Sequence, residues 1–358
     1  MTADPGTTAP LVDTAPPDDQ LQRPFTPVPA EQGLDFAGTH RRYPALAEFH
    51  AALGGTPLVE VPSPPGGARV LAKQEWANPV GAIKDRTAYA LVADALRTHG
   101  DRPVGELKLL AYSGGDLAAA MSLLGSRLGF ATRFVLASYS PRSLLDMLAE
   151  RGSEVDLVPK ELGFIATIRT AQRIAAEDPS WTLVFQHANP VNVAMHEHQT
   201  GGEIVRQLRE SGRSAQVWVA SIGSGGTLVG VHRALRAAFP AVRTVGVTPA
   251  ESPYGNPRPP SGKPTYEGSG GHGYGIRQPF VKAYDDEIEH RHVELPRAMA
   301  GMAEFYDRTG TKIGSSAAAN WLVAREYAAQ LPSTATVITV FPCAGTPEQW
   351  NELGRGQS

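Results

Sequence analysis

The sequence predicts an α/β protein in which mostly parallel strands alternate with helices. Two observations carry this prediction. From about Tyr43 onward, short apolar or β-branched runs alternate with Ala/Leu-rich stretches whose apolar residues recur at helical spacing. Each predicted strand also opens into glycine or a polar turn before its helix, which is where doubly wound sheets bind their ligands.

The predicted strand–helix units follow one another along the chain. Residues 69–76 are predicted as a strand and residues 84–97 as the helix that follows it, so Lys84 stands at a helix start. Three further units are predicted, with strands at 107–112, 132–137 and 216–220 and helices at 117–128, 141–151 and 227–238.

Composition excludes several classes of function. The chain has 358 residues, enough for one or two domains, with 42% hydrophobic residues, 19% charged residues and a formal net charge of -3. This balance gives no electrostatic reason to expect a nucleic-acid partner. The single cysteine, Cys343, leaves no internal disulfide and no cysteine zinc site, which favours the cytoplasm. No run approaches the roughly 20 apolar residues of a membrane span, so we expect neither secretion nor membrane insertion.

The first 40 or so residues differ from the rest. They are rich in Pro, Thr, Ala and Asp with little apolar periodicity, which predicts a flexible or surface-draped extension. We expect no chemistry there.

A glycine-rich loop at residues 221–227 (SIGSGGT) lies between a predicted strand and a predicted helix. Its glycines allow successive backbone amides to turn toward one point, which would cradle a phosphate. A tight turn without a ligand explains the pattern equally well. No Lys-Ser/Thr follows the last glycine, so the loop is not a P-loop, and no GxGxxG stands in the first strand–helix unit, which disfavours a dinucleotide enzyme.

Lys84 belongs to residues 78–86 (NPVGAIKDR), a turn that would present it at the mouth of a helix. Its spacing alone favours a solvated surface lysine. A lysine that forms a Schiff base needs a lowered pKa and partial burial, and its apolar neighbours Val80, Ala82 and Ile83 are suited to provide them.

Together these residues resemble the fold type II pyridoxal-phosphate enzymes, especially cysteine synthase and cystathionine β-synthase. The resemblance covers roughly residues 45–350, and agreement across many ordered blocks is far more specific than any single motif. The matching blocks lie at residues 55–58 (GTPL), 78–86, 113–116 (SGGD), 140–155, 186–204, 223–227 (GSGGT), 246–249, 273–275, 313–316 and 341–345.

The resemblance implies a two-domain, tryptophan synthase β-like fold with mostly parallel sheets flanked by helices. Residues 85–185 would form a small mobile domain and residues 43–84 with 186–358 the large domain that binds pyridoxal phosphate. Residues 1–42 would remain a Pro-rich flexible extension. The active site would lie between the domains, and the family suggests a homodimer.

The resemblance also implies the chemistry. Lys84 would hold pyridoxal 5′-phosphate as a Schiff base and remove the substrate α-proton; loss of a β-substituent would give an aminoacrylate, which a second small nucleophile attacks. The implied cofactor-binding residues are Lys84, Asp116, Gly223, Ser224, Gly225, Gly226, Thr227 and Ala344. The implied substrate-binding residues are Ser113, Gly114, Gly115 and Gln186.

Two residues depart from the family pattern. Asp116 stands where the family has an asparagine beside the phenolic oxygen of the cofactor; it either shares a proton there or caps the helix predicted to begin at Leu117. Ala344 replaces a serine expected at the pyridine nitrogen. Cys343 or Thr346 could reach that nitrogen if the loop shifts, although a buried structural thiol is the favoured interpretation of Cys343.

Other polar residues have simpler interpretations. His187 replaces an aromatic residue, and we favour packing over proton donation. His196 and His198, like His290 and His292, lack further ligands at suitable spacing, so we predict no metal site. The acidic run 285–287 is interpreted as a solvated face.

Three functions remain open from the sequence. The first is β-replacement on an O-activated serine, giving cysteine or a non-standard β-substituted amino acid. The second is elimination by a serine/threonine dehydratase-like lyase. The third is a non-catalytic binding protein on the same fold, which the retention of Lys84 and of the 223–227 loop disfavours.

Overall fold

The computed structural model describes residues 20–28, 34–258, 261, 263–266 and 277–355. The motif predicted at 273–275 lies outside these residues. The strands are β1 (Leu58–Val61), β2 (Arg69–Gln74), β3 (Lys108–Tyr112), β4 (Ala131–Ala137), β5 (Glu154–Val158), β6 (Thr182–Leu183), β7 (Val217–Ser221), β8 (Arg243–Pro249), β9 (Ile288–Val293) and β10 (Thr336–Phe341).

The α-helices lie between these strands and on either side of the sheets. They are α1 (Ala37–Arg42), α2 (Pro44–Ala52), α3 (Lys84–His99), α4 (Asp116–Leu128), α5 (Arg142–Glu150), α6 (Gly163–Glu177), α7 (Val191–Met195), α8 (Gly202–Glu210), α9 (Gly226–Ala238), α10 (Pro279–Lys282), α11 (Leu295–Thr309), α12 (Ser315–Ala328) and α13 (Pro347–Glu352). A π-helical stretch, His196–Gly201, joins α7 to α8.

The strands form two sheets. One has six strands in the order β1-β2-β10-β7-β8-β9, and the other has four in the order β5-β4-β3-β6. Every neighbouring pair is parallel except β1 with β2. The predicted α/β architecture, with mostly parallel sheets flanked by helices, is confirmed.

The order of the larger sheet determines where the site forms. β10 lies between β2 and β7, although it is the last strand in the chain. Because the three strands are parallel, their carboxyl ends open at one edge of the sheet. The segments that leave that edge lead to Lys84, to the glycine loop and to Cys343. The carboxyl end of β3, in the smaller sheet, leads to Asp116.

β10 is central to the core of the larger sheet. All six of its residues are buried, which is the pattern of a strand covered on both faces. Val337 and Phe341 pack on one face of the sheet and Ile338 and Val340 on the other, as the two-residue period of a strand requires. This rigid centre supports the loop that carries Cys343.

The N-terminal region makes specific contacts where the structure describes it. Leu21 is buried in the core beside the four-stranded sheet. Phe25 packs edge-on against Phe280, with ring centroids 4.9 Å apart, on the side of the six-stranded sheet. Residues 20–28 therefore run across both halves of the protein, a role that Pro-rich composition does not reveal.

Candidate active site

A cavity lies where the carboxyl ends of β2, β7 and β10 meet the beginning of α4. Its polar lining includes Lys84, Asp116, Ser221, Ser224, Thr227, Ser316 and Cys343, and the backbone of Gly223 and Gly225. Lys84 and residues of the predicted glycine loop, which begins 137 positions later in the sequence, are thus brought to one place.

Lys84 begins α3 and points into this cavity. Its Nζ donates a hydrogen bond of 2.9 Å to Oε1 of Gln186, whose Nε2 in turn donates to the carbonyl oxygen of Tyr112 at 3.1 Å. Burial lowers the pKa of Lys84 to about 8, although the carboxylate of Asp116 opposes the shift. A substantial fraction of a lysine with this pKa is a neutral amine near pH 8, and so can act as a nucleophile or a base.

The backbone before Lys84 is held by a turn and by β10. The amide of Val80 donates to the carboxylate of Asp85 at 2.6 Å, and the amide of Ile83 donates to the carbonyl of Pro342 at 2.8 Å. Burial raises the pKa of Asp85 to about 7, and backbone hydrogen bonds partly offset that rise. These contacts tie the start of α3 to the loop that follows β10.

A buried ionic network lies beneath the same turn. Arg86 donates to Glu75 (Nε to Oε2) and to Glu203 (Nη1 to Oε1), each at 2.7 Å, and Lys73 Nζ donates to Glu203 Oε2 at 2.7 Å. Burial would raise the pKa of Glu203, but hydrogen bonds from Arg86 and Lys73 lower it to about 2. This network was not predicted; its signal in the sequence is the charge of Lys73, which directly follows the apolar residues 70–72 of β2.

The glycine loop is shaped by close approaches. Gly225 has a φ of +88° and is the N-cap of α9, so no side chain caps the first amides of the helix. A Cβ on Gly225 would lie 2.6 Å from Cγ2 of Val281, and one on Gly226 would lie 2.5 Å from Oδ1 of Asn192. The glycines are therefore required by space, and the helix N-terminus offers amides and a positive dipole end to an anion.

Side chains behind the loop hold it in place. Nδ2 of Asn192 donates to Oγ of Ser224 at 3.0 Å, and Nε2 of His196 lies 3.3 Å from Oγ1 of Thr227 and 3.1 Å from Oγ1 of Thr87. Burial, reinforced by the charges of Arg86 and Lys84, lowers the pKa of His196 well below its usual value. A neutral imidazole is suited to share hydrogen bonds with threonine hydroxyls.

A family model described as "Pyridoxal-phosphate dependent enzyme" matches residues 50–342. The chain belongs to this family. The resemblance predicted from its motifs is confirmed, and the cofactor of this family of enzymes is pyridoxal 5′-phosphate.

Relatives and solved structures point to the same branch of the pyridoxal-phosphate enzymes. The chain is 28% identical over 302 residues to the cysteine synthase of Helicobacter pylori, covering 83% of this chain and 95% of that one. It is 30% identical over 203 residues to a Bacillus subtilis protein named "Probable cysteine synthase", covering 56% of this chain and 65% of the relative. The structure of the O-acetylserine dependent cystathionine β-synthase of H. pylori aligns with a TM-score of 0.71 at 25% identity, covering 85% of this chain and 96% of that one.

The residues of this pyridoxal-phosphate enzyme fit its cofactor. A phosphate needs an anion site, and the glycine loop at the start of α9 has the backbone approach and dipole for one. An aldehyde needs an amine of lowered pKa, and Lys84 has one in the same cavity. The glycine loop is thus suited to the phosphate of pyridoxal phosphate, and Lys84 to its aldehyde.

The start of α4 tests the interpretation of Asp116 as a helix cap. Oγ of Ser113 accepts hydrogen bonds from the amides of Gly115 (2.9 Å) and Ala118 (3.2 Å). Asp116 is the first helical residue, and Gly115, not Asp116, is the N-cap residue. Its interpretation as a helix cap is therefore wrong, and its carboxylate faces the cavity instead.

The residues considered as contacts of the pyridine nitrogen differ in whether they line the cavity. Ala344 is not among the residues that line the cavity, whereas Ser316 and Cys343 are. Thr346 forms a capping box with Gln349 at the start of α13, so its hydroxyl is engaged there. Ser316, in the first turn of α12, was not named as a site residue from the sequence, although it ends the block at 313–316 that matches the family.

The remaining polar residues have structural partners. Nδ1 of His187 lies 2.8 Å from the hydroxyl of Tyr112, and the two rings stack with centroids 5.4 Å apart, which is the packing role that was favoured. The acidic run at 285–287 is not simply a solvated face, because Asp285 accepts from the hydroxyl of Tyr254 at 2.8 Å and pairs with Arg277.

Within the residues that the structure describes, no helix is long and apolar enough to cross a bilayer. No three or more His, Cys, Asp or Glu residues of those ranges are grouped so that they could hold a metal ion.

Proposed function

We propose that this enzyme catalyses β-replacement on an O-activated serine, in which a small nucleophile replaces the leaving group and yields cysteine or a non-standard β-substituted amino acid. The observation that carries the proposal is Lys84 Nζ, with a pKa of about 8, facing the glycine loop across one cavity. The relatives support the substrate class, because they are named as cysteine synthases and an O-acetylserine dependent cystathionine β-synthase.

The cofactor would be held at both ends of the cavity. Lys84 would bind its aldehyde carbon, and the loop of Gly223, Ser224, Gly225, Gly226 and Thr227 would bind its phosphate. Asn192 and His196 would keep that loop in position from behind. When bound, pyridoxal phosphate delocalises the electron pair that remains after the α-proton is removed.

Lys84 would also accept the α-proton of the substrate. A neutral amine at Nζ accepts the α-proton, and the burial that lowers its pKa keeps it neutral often enough to do so. Oε1 of Gln186, 2.9 Å away, accepts a hydrogen bond from the resulting ammonium and fixes its direction.

The substrate carboxylate would bind at the beginning of α4. Ser113 caps the helix, so the loop 113–115 is held in a fixed shape with Gly114 exposed beside the dipole end of the helix. Gln186, which accepts a hydrogen bond from Nζ of Lys84, would complete the site. We further propose a cytoplasmic homodimer with a small domain at residues 85–185, as the resemblance to cysteine synthases implies.

An absorbance spectrum of the purified protein, with Lys84→Ala as control, tests the proposal. We expect a visible cofactor band that is absent from the variant and shifts on addition of one of serine, O-acetylserine, O-phosphoserine or threonine. Product analysis with and without an added nucleophile then separates replacement from elimination to a keto acid, the lyase outcome. No band after added pyridoxal phosphate would overturn the enzymatic proposal and favour a binding protein.

A further inference from the structure

We infer that Asp116 is a positioning residue for Lys84, whose negative carboxylate keeps the positive charge, and therefore the proton, on the Lys84 nitrogen. This inference rests on the proposed function, since it concerns the lysine that would bind the cofactor. It goes beyond that function because it assigns the Asp116 carboxylate a role in the protonation of Lys84.

The geometry places the two groups together. Lys84 is the first residue of α3 and Asp116 the first residue of α4, and both line the same cavity. Among the described residues that line it, these are the two charged side chains. The cavity is thus lined by one basic and one acidic side chain. Burial raises the pKa of the Asp116 carboxyl and lowers that of Lys84, and the charge of each group opposes the shift of the other.

Asp116 has no structural task that would explain a carboxylate. Ser113 caps α4, and within residues 34–258 no hydrogen bond to the Asp116 side chain accounts for its charge. A carboxylate in a partly enclosed cavity is costly unless it is paired, and Lys84, which lines the same cavity, is the cation able to pair with it.

The other ionisable groups near Lys84 are already engaged. The carboxylate of Asp85 accepts the backbone amide of Val80, and the guanidinium of Arg86 is paired with Glu75 and Glu203. His196 is neutral because burial lowers its pKa. Asp116 is therefore the counterion available to Lys84 on the cavity side.

The pairing has a chemical consequence. An opposite charge a few ångströms away favours the charged form of an amine, by about one pKa unit or more at a partly buried site. Asp116 would make the Lys84 nitrogen keep its proton to higher pH, and would stabilise the ammonium formed when Lys84 takes the α-proton. An asparagine has the same shape and does neither.

A pH titration of the visible absorbance of the holoenzyme tests this inference. In Asp116→Asn we expect the midpoint at which the protonated band is lost to fall by about one pH unit or more. Asp116→Glu, which restores a carboxylate, should titrate within about half a unit of the wild type. Asp146→Asn, which removes an exposed carboxylate on α5, is the matched control and should not change the midpoint.

An Asp116→Asn midpoint equal to that of the wild type would overturn the inference while leaving the proposed function intact. If Asp116→Asn loses the cofactor on purification, Asp116→Ser, which also removes the charge, decides: a midpoint lowered by about one pH unit or more supports the inference, and a midpoint equal to that of the wild type contradicts it. A wild-type protein that never shows a cofactor band contradicts the proposed function itself, so the two failures are distinct.

Discussion

Gly226 and Asn192 lie so close together that a methyl group on Gly226 would meet the amide oxygen of Asn192 at 2.5 Å. Asn192 in turn donates hydrogen bonds to Ser224 and to the carbonyl of Gln186. The same side chain therefore supports both the glycine loop and the residue that holds Lys84.

Gly226→Ala should weaken the cofactor site. Asn192 would have to move, which would displace both Ser224 and Gln186, and overpacking of this kind costs about 1–3 kcal/mol. We expect a lower unfolding temperature and loss of pyridoxal phosphate on dialysis. Gly202→Ala is the matched control, because Gly202 begins helix α8 with open space at its Cβ position and alanine favours a helix. Equal cofactor retention in the two variants would contradict the prediction.

Glu203→Gln should strongly destabilise the fold. Glu203 joins Arg86 to Lys73 within a buried network, and its loss leaves two buried cations with less compensation. Removal of one partner from a buried pair costs about 3–5 kcal/mol. Urea unfolding measures the change, and Glu210→Gln on the same helix serves as control, since its exposed pair with Arg206 should contribute less than about 1 kcal/mol. A loss below about 1 kcal/mol in Glu203→Gln would show that the network contributes little.

The lowered pKa of the same carboxylate predicts that the protein loses stability at acid pH. Folding lowers the pKa of Glu203 from 4.5 to about 2, so its stabilising effect is complete above its unfolded value and is lost as the pH falls through the folded one. The free energy of unfolding of the wild type should therefore approach that of Glu203→Gln between pH 4.5 and about 2. Urea unfolding at several pH values tests this; a gap that stays constant through that window would contradict the assignment.

Phe25→Ala should weaken the packing that supports the glycine loop, although Phe25 is not part of that loop. Phe25 packs on Phe280, and the neighbouring Val281 lies against Gly225, so removal of the ring loosens the support of the loop. We expect a loss of about 1 kcal/mol in stability and faster release of pyridoxal phosphate on dialysis. Thr26→Ala, at an exposed neighbouring position, is the control. A release rate equal to that of the control would show that residues 20–28 do not support the site.

Local features of the site could be predicted because local physics determines them. The helix predicted to begin at Lys84 does so, and it ends at His99 rather than near residue 97. The helix after the glycine loop begins at Gly226, one residue before the predicted start. Helical periodicity and glycines at turns reflect interactions over a few residues, so both can be recognised in the sequence without knowledge of the fold. The roles of Asp116 and Ala344 are not readable in the same way, because they depend on which side of a turn faces the cavity.

The sequence by itself determined the alternation of strands and helices, the glycine loop and the position of Lys84 at a helix start. Only the tertiary structure decided that Lys84 meets Gln186, 102 residues away, and that Arg86 meets Glu203, 117 residues away. It also decided that β10 lies between β2 and β7, and that Cys343, after β10, and Ser316, in α12, both line the cavity. The reason is physical: periodicity and turns reflect interactions between near neighbours, whereas strand order and charge pairing depend on how distant segments share one core.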